Sequence, residues 1–125
     1  MVGRVLLVDD EAPLRLSLGH LLRHLGLTVS EASDGVEALE WLSAHEGRVD
    51  CVILDLTMPR MGGLEALGHL RRRWLHLPVI LSSGYSGQEG DLDLGGPGTF
   101  LGKPYQLGEL KEALLKVLPG SKRGD

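Results

Sequence analysis

Cys51-Val52-Ile53-Leu54-Asp55-Leu56-Thr57-Met58-Pro59 is the stretch on which the fold turns. Four apolar residues run without interruption into a carboxylate. A short run of this kind suits a strand buried on both faces, as in the middle of a parallel sheet. Asp55 stands where that strand should end, and Pro59 bars its continuation. Open α/β sheets bind ligands beyond the carboxyl ends of their strands. Asp55 is therefore either placed for chemistry or the cap of a turn, and this stretch alone leaves both readings open.

Upstream, Arg4-Val5-Leu6-Leu7-Val8 reads as a first buried strand and is followed by Asp9-Asp10-Glu11. Pro13 suits the first turn of a helix, where its missing N–H is not needed. Leu14, Leu18, Leu21, Leu22 and Leu25 keep helical spacing until Gly26 stops the helix. Thr28 to Ala32 is a shorter, more polar strand suited to a sheet edge. Asp34 with Glu37 has the spacing of a capping box. It opens a helix that turns Val36, Leu39 and Leu42 inward and ends near Gly47.

Downstream, Gly62-Gly63 leads into a third helix carrying Leu64, Leu67, Leu70 and Trp74. Pro78 to Ser82 is a fourth strand that ends at Ser83-Gly84. Seven glycines fall from Gly84 to Gly102. Each costs a helix up to ~1 kcal/mol relative to alanine, so a fourth helix around Gln88 to Leu94 should be short. Thr99 to Gly102 is a fifth strand closed by Lys103-Pro104. A last helix from about Gln106 puts Leu107, Leu110, Leu114, Val117 and Leu118 on one face. Residues 1–118 are thus expected to form one domain, with 119–125 a tail.

The 125 residues suffice for one domain, and 42% hydrophobic content suffices for its core. A net charge of -4 argues against a nucleic-acid surface. The lone Cys51 provides neither a disulfide nor a zinc framework and reads as a small buried hydrophobe. No apolar stretch is long enough to span a bilayer. The expectation is a soluble, cytoplasmic domain with no membrane span and no direct nucleic-acid partner.

Five βα units in succession imply parallel strands with right-handed crossovers. The fold class expected is α/β, a flavodoxin-like, doubly wound five-stranded parallel sheet; the order 2-1-3-4-5 is the natural choice among such folds. In that order Asp9, Asp10, Asp55, Ser83 and Lys103 converge on one rim. Clustered carboxylates stay ionised only beside a cation. Oxygen donors without His or Cys favour Mg²⁺, with Mn²⁺ the alternative, over zinc. Lys103 adds a compact positive charge for a phosphate oxygen, and Ser83 adds a hydroxyl. These are the parts needed to hold an acyl phosphate.

Asp9-Asp10 after the first strand, Asp55 with Met58-Pro59 and Gly63, Ser83-Gly84, and Lys103-Pro104 follow in the order and spacing of one family. The chain resembles the receiver domain of two-component response regulators over nearly its whole length. The Ser83-Gly84-Tyr85 version is similar to receivers attached to hybrid sensor histidine kinases. The resemblance implies that Asp55 accepts a phosphoryl group from a phosphohistidine, on a sensor histidine kinase or a histidine phosphotransfer protein. It implies Mg²⁺ bound by Asp10 and Asp55 directly, by Asp9 through water, and by the Thr57 carbonyl. Lys103 would pair with the phosphate, Ser83 would move toward it, and Phe100 would be the switch aromatic. Leu14 would help dock the partner. Thr57 and Tyr85 would flank the hydrolytic water and set phosphate lifetime. The output surface would be the fourth helix, fifth strand and fifth helix, which could also support a homodimer. Such a domain is a phosphoacceptor with slow self-dephosphorylation, not a multiple-turnover enzyme.

The departures are a serine in place of the more usual threonine at position 83, and a Phe100 that can repack but cannot donate a hydrogen bond. With no effector domain after the last helix, the expectation is a stand-alone receiver or one module of a longer protein. Rival readings are an aspartate-dependent phosphohydrolase of the haloacid-dehalogenase type, a phosphorylation-independent interaction module, and a flavin binder. The first wants a second Asp where Thr57 stands. The complete acidic set speaks against the second. The third lacks a hydroxyl-rich phosphate loop after the first strand. His20 with His24, and Arg71-Arg72-Arg73, read as solvated helix faces.

Overall fold

The structure is a computed structural model that describes residues 1–56, 58, 60–84 and 93–118. Five parallel strands form one sheet: β1 (Arg4–Val8), β2 (Thr28–Ala32), β3 (Cys51–Asp55), β4 (Val79–Ser83) and β5 (Gly98–Gly102). Their order is β2-β1-β3-β4-β5, the expected one. Among the described residues there are four helices: α1 (Ala12–His24), α2 (Gly35–Ala44), α3 (Gly63–Arg73) and α4 (Leu107–Val117). The short helix expected around Gln88 to Leu94 falls mostly on 85–92, outside the described residues. Asp93 and Leu94 are described and are not helical.

The alternation of each strand sorts its residues between two cores. Leu6, Val8, Val52, Leu54, Val79 and Leu81 face α2 and α3, joining Ala38, Leu42, Leu67 and Leu70. Val5, Leu7, Cys51, Ile53, Ile80 and Leu101 face α1 and α4, joining Leu18, Leu22, Leu110 and Leu114. A sheet covered on both faces is why β1, β3 and β4 read as unbroken apolar runs while the edge strands β2 and β5 do not. Cys51 is fully buried, and burial pushes its thiol up to about 12.

Local signals place the helix ends. Asp34 caps α2, its carboxylate accepting from the Glu37 N–H at 2.8 Å. The Glu37 side chain reaches back one residue further than a capping box would, to the Ser33 N–H. Gly26 follows α1 at φ +100°, a left-handed turn that glycine adopts freely. His20 and His24 lie exposed on α1.

Three expectations of helix facing need correction. Leu64 and Leu107 share the spacing of the buried stripes but are exposed. Both occupy the first turn of their helices. Arg71 is not on a solvated face. Its guanidinium donates to the carbonyls of Leu94 and Pro97, both at 2.7 Å, and to that of Leu77. Burial lowers its pKa. No described helix is long and apolar enough to cross a membrane.

Candidate functional site

The sheet register sets the site. Val8 pairs with Leu54, so the residues that follow, Asp9 and Asp55, leave the sheet side by side. Both are buried, at 3% and 6% exposure, whereas Asp10, one residue further along the loop, is exposed. One oxygen from each of Asp9, Asp10 and Asp55 can be chosen so that all three lie within 4.8 Å of one another.

Lys103 follows β5 and reaches the same point. Its backbone N–H donates to the Ser83 carbonyl at 2.7 Å, extending the β4–β5 ladder by one bond. Its ammonium lies 3.3 Å from Asp55 Oδ1 and 3.3 Å from Asp9 Oδ2. Partial burial opposes that positive charge. The attraction of Asp55 and Asp9, with a hydrogen bond to each, more than offsets it and raises the lysine above its ordinary pKa. A permanent cation thus sits between two buried carboxylates.

The other Asp9 oxygen, Oδ1, accepts from the Glu11 N–H at 2.9 Å. Asp9 therefore has both oxygens occupied by protein donors. Asp10, exposed on the same loop, brings a third carboxylate to the same point. Hard carboxylate oxygens with one member solvent-facing fit a partly hydrated Mg²⁺, and the donor set contains no nitrogen or sulfur that would favour a softer ion.

Of the other expected site residues, Ser83 is buried at the carboxyl end of β4. Phe100 is half-buried on β5, beside Leu81 and packed on the α2/α3 core. Leu14 is 39% exposed at the start of α1. It lines a groove of about 450 Å³ with Leu18, Leu21, Lys103, Pro104 and Tyr105. Thr57, Pro59 and Tyr85 lie outside the described residues.

Four contributors escape a reading of the sequence. Arg15 on α1 donates to the Asp9 carbonyl at 2.6 Å and pairs with Glu31 of β2, bracing the acidic loop. Tyr105 shares the groove; burial, then the charges of Asp9 and Asp55, push its phenol up to about 12. Arg60 pairs with Asp34 at 2.7 Å, tying the loop after β3 to the start of α2. Ser82 lies beside Asp55 in the sheet register. The Lys103-Pro104-Tyr105 sequence offered a cue for Tyr105, whereas the other contacts depend on how the loops pack.

A family model described as the response regulator receiver domain matches residues 5–115. Response regulator MprA of Mycobacterium ulcerans (strain Agy99) is 38% identical over a 128-residue match that covers 100% of this chain and 54% of the relative. The chain spans about half the length of the curated relatives it matches. Among solved structures, the response regulator TrrA of Thermotoga maritima, in complex with Mg²⁺-BeF, superposes with a TM-score of 0.81 at 35% identity, covering 92% of this chain and 98% of that one. The receiver domain of sensor histidine kinase PA1611 of Pseudomonas aeruginosa, with magnesium coordinated in its active-site cleft, gives 0.80 at 26% identity, covering 94% and 98%.

Proposed function

This chain belongs to the response regulator receiver domain family, and on that premise we propose that Asp55 accepts a phosphoryl group from a phosphohistidine on a sensor histidine kinase or histidine phosphotransfer protein. The observation that carries the reading is the Lys103 ammonium, 3.3 Å from both Asp9 and Asp55, with Asp10 beside them. An Asp55 oxygen attacks phosphorus in line. The new O–P bond forms as the P–N bond breaks, and the electron pair returns to the imidazole of the donor. Lys103 stabilises charge on the transferring group from a position fixed beforehand, without reorganisation during the reaction.

Asp10 and Asp55 are the residues that would hold Mg²⁺ directly, with Asp9 acting through water and the Thr57 carbonyl as a further donor. When bound, the ion neutralises the carboxylates and the phosphoryl oxygens that meet there. Manganese would serve the same oxygens. Ser83 would hydrogen-bond the phosphoryl group, and Phe100 would repack on β5, passing the change to the β5–α4 surface. A homodimer through that surface is one way to use it. Thr57 and Tyr85 are assigned to phosphate lifetime. The domain would work in the cytoplasm, as a phosphoacceptor that loses phosphate slowly rather than as a turnover enzyme.

Leu14 beside Lys103 supports docking of an apolar partner helix along α1. Leu14→Asp should slow transfer from a phosphorylated histidine partner at least tenfold while leaving uptake from acetyl phosphate unchanged. Equal transfer rates would remove Leu14 from the interface. The reading as a whole is tested by intact mass after incubation with acetyl phosphate. The wild type should gain one phosphoryl group only with Mg²⁺ or Mn²⁺, and Asp55→Asn should gain none at that position. Multiple-turnover hydrolysis of small phosphomonoesters would favour the hydrolase alternative instead.

A further inference from the structure

Ser82 presents a problem that the family assignment does not address. It stands in β4 between β3 and β5, 2% exposed, where strand alternation below it demands an apolar side chain. Its Oγ is sealed from water and has no hydrogen-bond partner among the described residues. A buried hydroxyl left unpaired costs stability, and native structures hold few of them.

The register shows what surrounds it. Ser82 pairs with Asp55 on one side and Leu101 on the other. Paired residues of parallel strands point to the same face, and Ile80 and Leu101 face α1 and α4. Ser82 therefore shares a face with Asp55, whereas Ser83, the next residue, has the opposite parity. Lys103 lines the groove on that same α1 face and reaches Asp55 from β5. With β4 between β5 and β3, the lysine arm crosses over β4 on the face that Ser82 occupies. Ser82 thus shares the face on which the lysine reaches Asp55, one strand over from that carboxylate.

We propose that Ser82 is a positioning residue for Asp55: its Oγ–H, turned by a change of χ1, donates to the Asp55 oxygen that does not attack. Serine has three staggered rotamers about that bond, so the move needs no backbone shift. The donated bond fixes the carboxylate's orientation while Lys103 turns from the carboxylate to the incoming phosphoryl oxygens. This role rests on Asp55 being the phosphoacceptor, and it is distinct from that of Ser83, which is expected to bind the phosphoryl group itself.

The test compares Ser82→Ala, Ser82→Thr and Ser82→Val by the rate of phosphoryl uptake from acetyl phosphate with Mg²⁺, alongside thermal melts. Threonine and valine have nearly the same volume and both suit a strand, so they separate the hydroxyl from packing. Alanine and valine should take up phosphate about three- to tenfold more slowly, the scale of one hydrogen bond, and threonine should restore the rate. The melting temperature of Ser82→Ala should not fall, because an unpaired hydroxyl has been removed. Uptake by the alanine and valine variants at the wild-type rate, or a threonine variant as slow as valine, would overturn the proposal. A wild type that takes up no phosphoryl group would overturn the receiver reading, and this role with it.

Discussion

At the scale of single residues, charge and burial make opposite demands at two sites. Asp34 is buried yet ionised: the hydrogen bond from Arg60 outweighs burial, and with the Glu37 N–H it holds the carboxyl below its ordinary range. A depressed folded pKa means the unfolded chain binds the proton more readily. The resulting stability is present in full well above pH 3.8 and is lost as pH falls through the lower folded value. Asp34→Asn keeps a capping side chain but removes the charge. Its melting temperature should lie below that of the wild type at pH 7, with the gap closing as pH falls below 4. A gap that persists would mean the ion pair contributes nothing. Tyr105 behaves oppositely. With its phenol raised to about 12 from 10.0, the unfolded chain ionises first, so stability should fall between those pH values. Lys103, raised above 10.5, contributes stability that is likewise lost as pH rises through its folded value. Tyr105→Phe should flatten part of that alkaline decline in pH-dependent melts.

Asp9, Asp10 and Asp55 were legible in the sequence because they close apolar runs, and the ends of runs are the ends of strands; Lys103 was legible from the Lys103-Pro104 pair that closes the fifth strand. Ser82 was not. The sequence places it in the fourth strand without saying which residues flank it, and only the register reveals that it shares a face with Asp55.

At the scale of elements, the connection from β3 to α3 is tightly constrained at Gly63. A Cβ at Gly63 would stand 2.4 Å from the Asp55 carbonyl oxygen and 2.7 Å from the Leu56 Cα. Both are backbone atoms, so the strand end itself would have to shift. Gly63→Ala should destabilise by about 1–3 kcal/mol and slow phosphoryl uptake by displacing Asp55, as measured by denaturant unfolding and intact mass. Arg71 does comparable work at the far end of α3, holding the carbonyls of Leu77, Leu94 and Pro97. The arginine triplet gave no sign of this, since three adjacent arginines point in three directions around a helix. Arg71→Met should remove the bonds to those carbonyls and cost about 1–3 kcal/mol, while Arg72→Met, on the exposed face, should cost little. Leu64 and Leu107 make a related point: periodicity identifies which residues share a stripe but not which of them the fold covers.

At the scale of the molecule, the alternation of strands and helices was enough to establish a parallel α/β sheet covered on both faces. The order of strands was not readable from periodicity and came from analogy with five-unit doubly wound folds. That order matters, because placing β1 and β3 together is what sets Asp9 beside Asp55. Three carboxylates served by one lysine leave net negative charge at the rim, which a divalent ion would relieve. Mg²⁺ should therefore raise the melting temperature, a chelator should reverse the gain, and Asp10→Ala should abolish it. An equal gain in Asp10→Ala would locate the ion elsewhere.

The most direct measurement is chemical trapping of the acceptor. Protein incubated with acetyl phosphate and Mg²⁺ is reduced with borohydride, which converts an aspartyl phosphate to homoserine and releases phosphate, and the peptides are then mapped by mass. Homoserine at position 55 and at no other aspartate is the expected result. Homoserine at another aspartate, or an unmodified Asp55 in protein that has gained phosphate, would contradict it.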